Sequence, residues 1–132
     1  MKVVVAYDGS SHSKKALSFL VNLMAEKGWE IHLVTVAREA PRTPEGVVIH
    51  DVSHAESIQE EASKVLPPGI NVVRKVLESP DVAGAIVGYC EEVKCGIIVT
   101  GSRGLTGLRR VILGSVSSAL VDKSKVPVLI VK

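Results

Sequence analysis

The residues with the densest chemistry run from Gly101-Ser102-Arg103-Gly104 to Gly114-Ser115-Val116-Ser117. Two glycine corners are separated there by a basic, leucine-rich arm that carries Arg109 and Arg110, and Ser118 follows the second corner. Glycine permits positive φ and the close approach of another group, so each corner can turn several backbone N–H groups toward one point. Convergent amides of this kind cradle anions. Glycines that only turned a strand into a loop would need no such company of serines and arginines. The concentration of donors and positive charge points to a phosphate-bearing guest.

Two common phosphate motifs are excluded. No Gly-Lys-Ser or Gly-Lys-Thr is present, so there is no Walker A loop, and the glycine stretch follows a late strand where a dinucleotide fingerprint would follow the first. A signalling receiver domain wants paired acids after its first strand, whereas Asp8 stands alone behind Ala6 and Tyr7. His50-Asp51-Val52-Ser53-His54 imitates a zinc-protease helix without its glutamate or a third ligand, and reads as a solvated helix entry. His12 and His32 read as ordinary helix and strand residues.

Size and composition bound the rest. The 132 residues suit one domain, 1–132, with a core of Val, Ile, Leu and Ala, because the chain is 46% hydrophobic but only 3% aromatic. A formal charge of +2 and few stacking rings argue against a dedicated nucleic-acid binder. No apolar run reaches the roughly eighteen residues a membrane helix needs, so no membrane partner is expected. The opening Met1-Lys2-Val3-Val4-Val5 reads directly as structure, which leaves the cytoplasm as the expected location. Cys90 and Cys95 cannot make a zinc site alone. They read as buried free thiols, a disulfide being disfavoured in a reducing compartment.

The elements that must position the glycine stretch follow from periodicity. Val3–Tyr7 is a β-branched run typical of a strand buried on both faces. Ser10 or Ser11 can cap a helix with Ala16, Leu17, Leu20, Val21 and Met24 on one face, stopped near Gly28, where Trp29 covers its end. Glu30–Val36 is the second strand. Residues 37–50 read mostly as loop, interrupted by Pro41, Pro44 and Gly46. Ser53 and Glu56 fit a capping box for a helix facing inward through Ile58, Ala62, Val65 and Leu66, ended by Pro67-Pro68-Gly69. Ile70–Leu77 is a third, more polar strand suited to a place near an edge. Ser79-Pro80-Asp81 supplies a cap, a first-turn proline and an acid for a helix lined by Val82, Ile86, Tyr89, Cys90 and Val93. Gly96–Thr100 is the fourth strand. A last helix carries Val116, Ala119, Leu120 and Val121, and Pro127–Val131 is the fifth strand.

Strands alternating with helices predict an α/β fold, a doubly wound five-stranded parallel sheet. In the order 3-2-1-4-5 the winding reverses between the first and fourth strands. Ligands bind at the carboxyl ends beside that reversal, where Asp8-Gly9-Ser10 and Gly101–Gly104 would meet.

These residues resemble the universal stress protein family over nearly the whole chain. Val4-Val5-Ala6-Tyr7-Asp8-Gly9-Ser10 is similar to the family's opening strand and loop. Gly101-x-x-Gly104, nine residues, then Gly114-Ser115 has the spacing of its ATP-binding subgroup. The chain departs from the family pattern at Glu78 and Cys95-Gly96, away from the nucleotide positions. The resemblance implies an adenine nucleotide alpha hydrolase-like, Rossmann-like fold. It also implies that Ala6, Tyr7, Asp8 and Val36 line the adenine and ribose end of a pocket. Gly101, Arg103, Gly104, Gly114, Ser115, Val116 and Ser117 would hold ribose and phosphates. The implied cofactor is ATP, with AMP or ADP as alternatives, and the implied partner is a second copy of the chain docked through Val128–Val131.

Asp8 can hold Mg²⁺ through water or bond the nucleotide, or it can cap its own turn. Arg103 is expected to meet a phosphate. With no base aimed at the phosphates, binding or slow turnover is expected over rapid hydrolysis. Three functional classes stay open: a nucleotide-dependent stress regulator acting on a protein partner, a dimeric interaction module of the same fold with an empty crevice, and an enzyme on a nucleotide-like substrate.

Overall fold

The structure, a computed structural model, describes residues 1–24, 26–38, 52–102 and 113–132. Five strands, β1 (Lys2–Ala6), β2 (Glu30–Ala37), β3 (Val72–Glu78), β4 (Ile97–Gly101) and β5 (Val128–Val131), form one sheet in the order β3-β2-β1-β4-β5. Four helices connect them: α1 (Ser11–Met24), α2 (Val52–Val65), α3 (Val82–Val93) and α4 (Ser115–Lys123). All four strand pairings are parallel. The doubly wound sheet is the one the alternation predicts.

The core has two layers because alternate side chains of a strand leave opposite faces. Val3, Val5 and Tyr7 pack with Ala16, Leu17, Leu20 and Met24 of α1 and with Ala62 of α2. Val4, Ala6 and Val34 pack with Ile86, Tyr89 and Cys90 of α3 and Leu120 of α4. Val3, Val4 and Val5 are wholly buried, as a central strand covered on both faces requires. At the other extreme β3 is an edge strand, and its Val73, Arg74 and Lys75 are exposed. Trp29 packs against the first layer, with the Lys27 ammonium 5.6 Å from its ring centroid.

Two buried polar side chains knit the layers together. His32, 4% exposed, meets the Tyr89 hydroxyl through Nδ1 and the Glu30 carboxylate through Nε2, each at 2.6 Å. Gln59 sends its side-chain amide to the carbonyls of Leu33 and Lys75, stitching α2 to two strands. Of the face expected to turn inward, Ala62 is buried and Ile58 and Leu66 pack against the core, while Gln59 joins them and Val65 does not. Ala55, Gln59 and Ala62 are buried, whereas Val65 is 77% exposed.

Other expectations shift by a residue or a turn. α2 is already helical at Val52, so Ser53 lies within its first turn and is not the cap of a capping box. Asp81, not Ser79, is the N-cap of α3: its Oδ1 accepts from the Gly84 amide at 3.0 Å, and Pro80 stands outside the helix. Ser79 instead accepts from the Asp81 amide. On α4, Leu120 is buried and Val121 is 53% exposed.

Cys90 and Cys95 are joined in a disulfide, which corrects the expectation of free thiols. The cause is local. Lys94 caps α3 in the left-handed region, at φ 59° and ψ 50°, and swings the chain back until the two Cα atoms lie 4.9 Å apart. That separation is within the span a disulfide bridges.

Residues 39–51 and 103–112, with Val47-Val48-Ile49, His50, Asp51, Arg103, Gly104, Arg109 and Arg110, lie outside the described residues. Among the described residues no helix is long and apolar enough to cross a membrane.

Candidate functional site

The sheet order sets β2, β1 and β4 side by side, so their carboxyl ends and the following turns share one edge. Between β1 and β4 the winding reverses, and a crevice opens where consecutive connections leave in opposite directions. β1 feeds it through Asp8-Gly9-Ser10. Gly9 takes a φ of 81°, which a residue with a Cβ rarely adopts, and this sharpens the turn into α1. Ser10 caps α1: its hydroxyl accepts from the Ser13 amide at 3.2 Å, while the Ser13 hydroxyl donates back to the Ser10 carbonyl at 3.0 Å.

Asp8 is half-buried in this turn, and its Oδ1 accepts from the Ser10 amide at 2.9 Å. The Asx turn anticipated as one of its two roles is therefore present. A carboxylate has further acceptor sites, so the turn does not consume the side chain. Among the described residues no three His, Cys, Asp or Glu side chains cluster as a metal cage. One carboxylate beside phosphates is nevertheless an ordinary Mg²⁺ environment, since that ion keeps several waters.

The two glycine corners meet. The Gly114 amide donates to the Ser102 carbonyl at 2.7 Å, and the Ser117 hydroxyl donates to the Gly101 carbonyl at 2.6 Å. Ser102 is in turn held by its own amide on the Val131 carbonyl of β5 at 3.0 Å. The start of α4 is thus fixed against the end of β4. Gly114 is the N-cap of α4 in an extended conformation with no side-chain bond, and the first ladder bond runs from the Ser118 amide to the Gly114 carbonyl. The amides of Ser115, Val116 and Ser117 precede that bond and have no intrahelical acceptor. They carry the positive end of the helix dipole. The Gly114 amide itself is spent on Ser102.

Gly101 has a packing task as well. A Cβ there would lie 2.7 Å from both the carbonyl carbon and the oxygen of His12, so glycine is what lets β4 pass under the first turn of α1. His12, which reads from the sequence as an ordinary helix residue, is the neighbour that sets this requirement. Its backbone packs on Gly101, and its Nδ1 is buried without a hydrogen-bond partner among the described residues.

At the opposite side of the crevice the expected residues divide. Ala6 and Val36 belong to the α3–α4 layer, and Val36 lies beyond the last β1–β2 pair, at the overhanging end of β2. Tyr7 points the other way, as strand alternation requires, into the α1–α2 layer. Its amide donates to the Val34 carbonyl and its carbonyl accepts from the Thr35 hydroxyl, so its main chain is occupied. Burial first, then the charges of Glu61 and Asp8, push the Tyr7 phenol above its usual range.

The universal stress protein family's sequence profile matches residues 1–132. Universal stress protein YxiE of Bacillus subtilis is 32% identical, covering 99% of this chain and 98% of the relative. Universal stress protein MJ0531 of Methanocaldococcus jannaschii is 30% identical over 99% and 81%. Among solved structures, a universal stress protein from Archaeoglobus fulgidus superposes with a TM-score of 0.79 at 25% identity, covering 100% of this chain and 98% of that one. Another, a universal stress protein in complex with cAMP, gives 0.73 at 25% identity, covering 99% and 95%. Whole-length agreement in sequence and in strand order makes this chain a member of the universal stress protein family.

Proposed function

We propose that the crevice binds an adenine nucleotide, ATP with Mg²⁺ in the first instance, and that the chain is a nucleotide-dependent regulatory module of a stress response. The observation that carries the reading is the fixed start of α4, whose N-cap makes no side-chain bond. Amides of Ser115, Val116 and Ser117 stand at a helix N-terminus that the Gly114–Ser102 bond anchors at the winding reversal. The cAMP complex of a relative with the same fold supports the choice of guest. Ala6, Asp8 and Val36 are assigned to the adenine and ribose end, with Tyr7 contributing to its wall. Arg103, Gly104 and the α4 start take the phosphates, and Gly101 shapes the corner. Micromolar affinity needs about 8 kcal/mol net. One charge-assisted hydrogen bond gives about 1.5 to 3 kcal/mol, so several amides and side chains must act together.

Asp8 would hold Mg²⁺, which would offset phosphate charge when bound. Turnover is proposed to be slow at most. The protein is proposed to act in the cytoplasm as a homodimer paired through β5, transmitting nucleotide state to a protein partner.

Calorimetric titration with ATP and AMP, with and without Mg²⁺, tests the reading. Binding of either nucleotide is expected, with Mg²⁺ strengthening ATP in the wild type and no longer doing so in Asp8→Asn, whose amide oxygen still accepts the Ser10 N–H. No heat and no competition with either nucleotide would overturn it.

A further inference from the structure

The end of the sheet opposite the crevice carries a second piece of chemistry, independent of the nucleotide reading. There the C-terminus of α3 turns into β4, and Cys90 and Cys95 are bonded to one another across that turn. The backbone holds the turn without help from sulfur. The Cys95 amide donates to the Cys90 carbonyl at 2.9 Å, the Lys94 amide to the Glu91 carbonyl at 3.3 Å, and the Gly96 amide to the Lys2 carbonyl at 2.9 Å. If the sulfur bond opened, these contacts would keep both thiols in reach of each other. Breaking and remaking the bond then needs no refolding. A bridge between residues so close in sequence also constrains the unfolded chain little, so folding holds it less firmly than it would hold a long-range clamp.

The bridge is reachable. Cys90 and Cys95 are 3% and 6% exposed, yet both line a cavity of about 270 Å³ whose rim carries the exposed residues Glu91, Lys94 and Lys125. Ile98 and Val126 supply apolar wall. Lys125 lies 3.4 Å from Glu91, which among the described lining residues leaves the Lys94 ammonium as the charge in excess at the mouth. An entering thiol that carries carboxylates is favoured by that balance, and one that is neutral is not.

We propose that Cys90–Cys95 is a thiol–disulfide exchange site for a low-mass, carboxylate-bearing thiol that enters through this cavity. The thiolate of the first reagent molecule attacks one sulfur, the Cys90–Cys95 bond breaks, and the other cysteine leaves as thiolate and takes up a proton. A second reagent thiolate then attacks the reagent sulfur of the mixed disulfide, releasing the protein's second thiolate, which is protonated in turn. The chain gains two electrons and two protons, and two reagent thiols become one reagent disulfide. The reverse sequence oxidises the chain.

The test uses the whole folded protein, equilibrated in native buffer with mixtures of reduced and oxidised glutathione and followed by quenched alkylation and intact mass. The expected result is full and reversible interconversion of dithiol and disulfide, with an unchanged far-ultraviolet circular dichroism spectrum. Cys90→Ser and Cys95→Ser should each accumulate a glutathione adduct on the remaining cysteine. Lys94→Gln should slow reduction by glutathione severalfold and slow reduction by 2-mercaptoethanol, whose thiolate carries no carboxylate, clearly less. Reduction that occurs only in denaturant, failure of oxidised glutathione to close the bond, or equal slowing with both thiols would overturn the proposal. The wild-type titration decides the matter even if a serine variant fails to fold.

Discussion

Glycine does two distinct things along the crevice, and only one of them concerns a guest. At Gly101 the missing Cβ is space that the backbone of His12 occupies. Overpacking against backbone cannot be relieved by a rotamer change and costs about 1 to 3 kcal/mol. Gly101→Ala is therefore expected to lower the unfolding free energy by that amount, read as a lower urea midpoint with little change in the slope. An unchanged midpoint would show that the start of α1 can yield. At Gly114 the φ of −67° is open to any residue, so glycine there is not required by the turn. The distinction was hidden in the sequence, because the spacing of glycines shows where close approach occurs and not which group approaches. Alternation along β1, by contrast, was readable: Val3, Val5 and Tyr7 share one face, and this directs the Tyr7 ring away from Ala6.

At the scale of elements, helix faces were legible wherever apolar residues dominated them, as on α1. On α2 the face was read in part: Ile58, Ala62 and Leu66 meet the core, but Val65 does not and the polar Gln59 does. Gln59 is buried because three acceptors surround its amide, and no periodicity of apolar residues shows that. Caps are similarly ambiguous when two candidates are adjacent. Asp81 takes the N-cap of α3, and its carboxyl is held below the usual range first by the Gly84 amide and then by Lys123. A folded-state pKa below the unfolded one stabilises above the unfolded value and loses that contribution as pH falls through the folded one. Asp81→Ala should accordingly lower the melting temperature near neutral pH, and the gap from wild type should narrow once pH drops below the ordinary carboxylate range of about 4. A gap independent of pH would mean that the charge does not support the cap. The disulfide was missed for a related reason, since a left-handed turn at Lys94 leaves no mark in the composition around two cysteines.

For the molecule as a whole, the strand order was the most legible feature, because alternating strands and helices leave few ways to cover both faces of a parallel sheet. What the order cannot show is how the sheet ends are finished. Among the described residues β5 pairs with β4 alone, and each of its four residues, Val128 to Val131, is only partly buried. An apolar edge of that kind invites strand pairing with another chain. Ile130→Glu is expected to convert a sedimenting dimer into a monomer, and a monomeric wild type would remove the proposed assembly. Those last residues also anchor the crevice through the Ser102 amide on Val131, so loss of pairing at β5 should weaken nucleotide binding along with it.

The proposal that backbone amides at the start of α4 hold a phosphate is tested most directly by removing one amide without moving the helix. Proline is accommodated at the first helical position, where its missing N–H has no intrahelical acceptor, and it requires an extended residue before it. Gly114, at φ −67° and ψ 168°, already satisfies that requirement. Calorimetric titration of ATP into Ser115→Pro should therefore show unchanged folding and an affinity weakened about 10- to 100-fold, the equivalent of one charge-assisted hydrogen bond. Wild-type affinity in the folded variant would contradict the account.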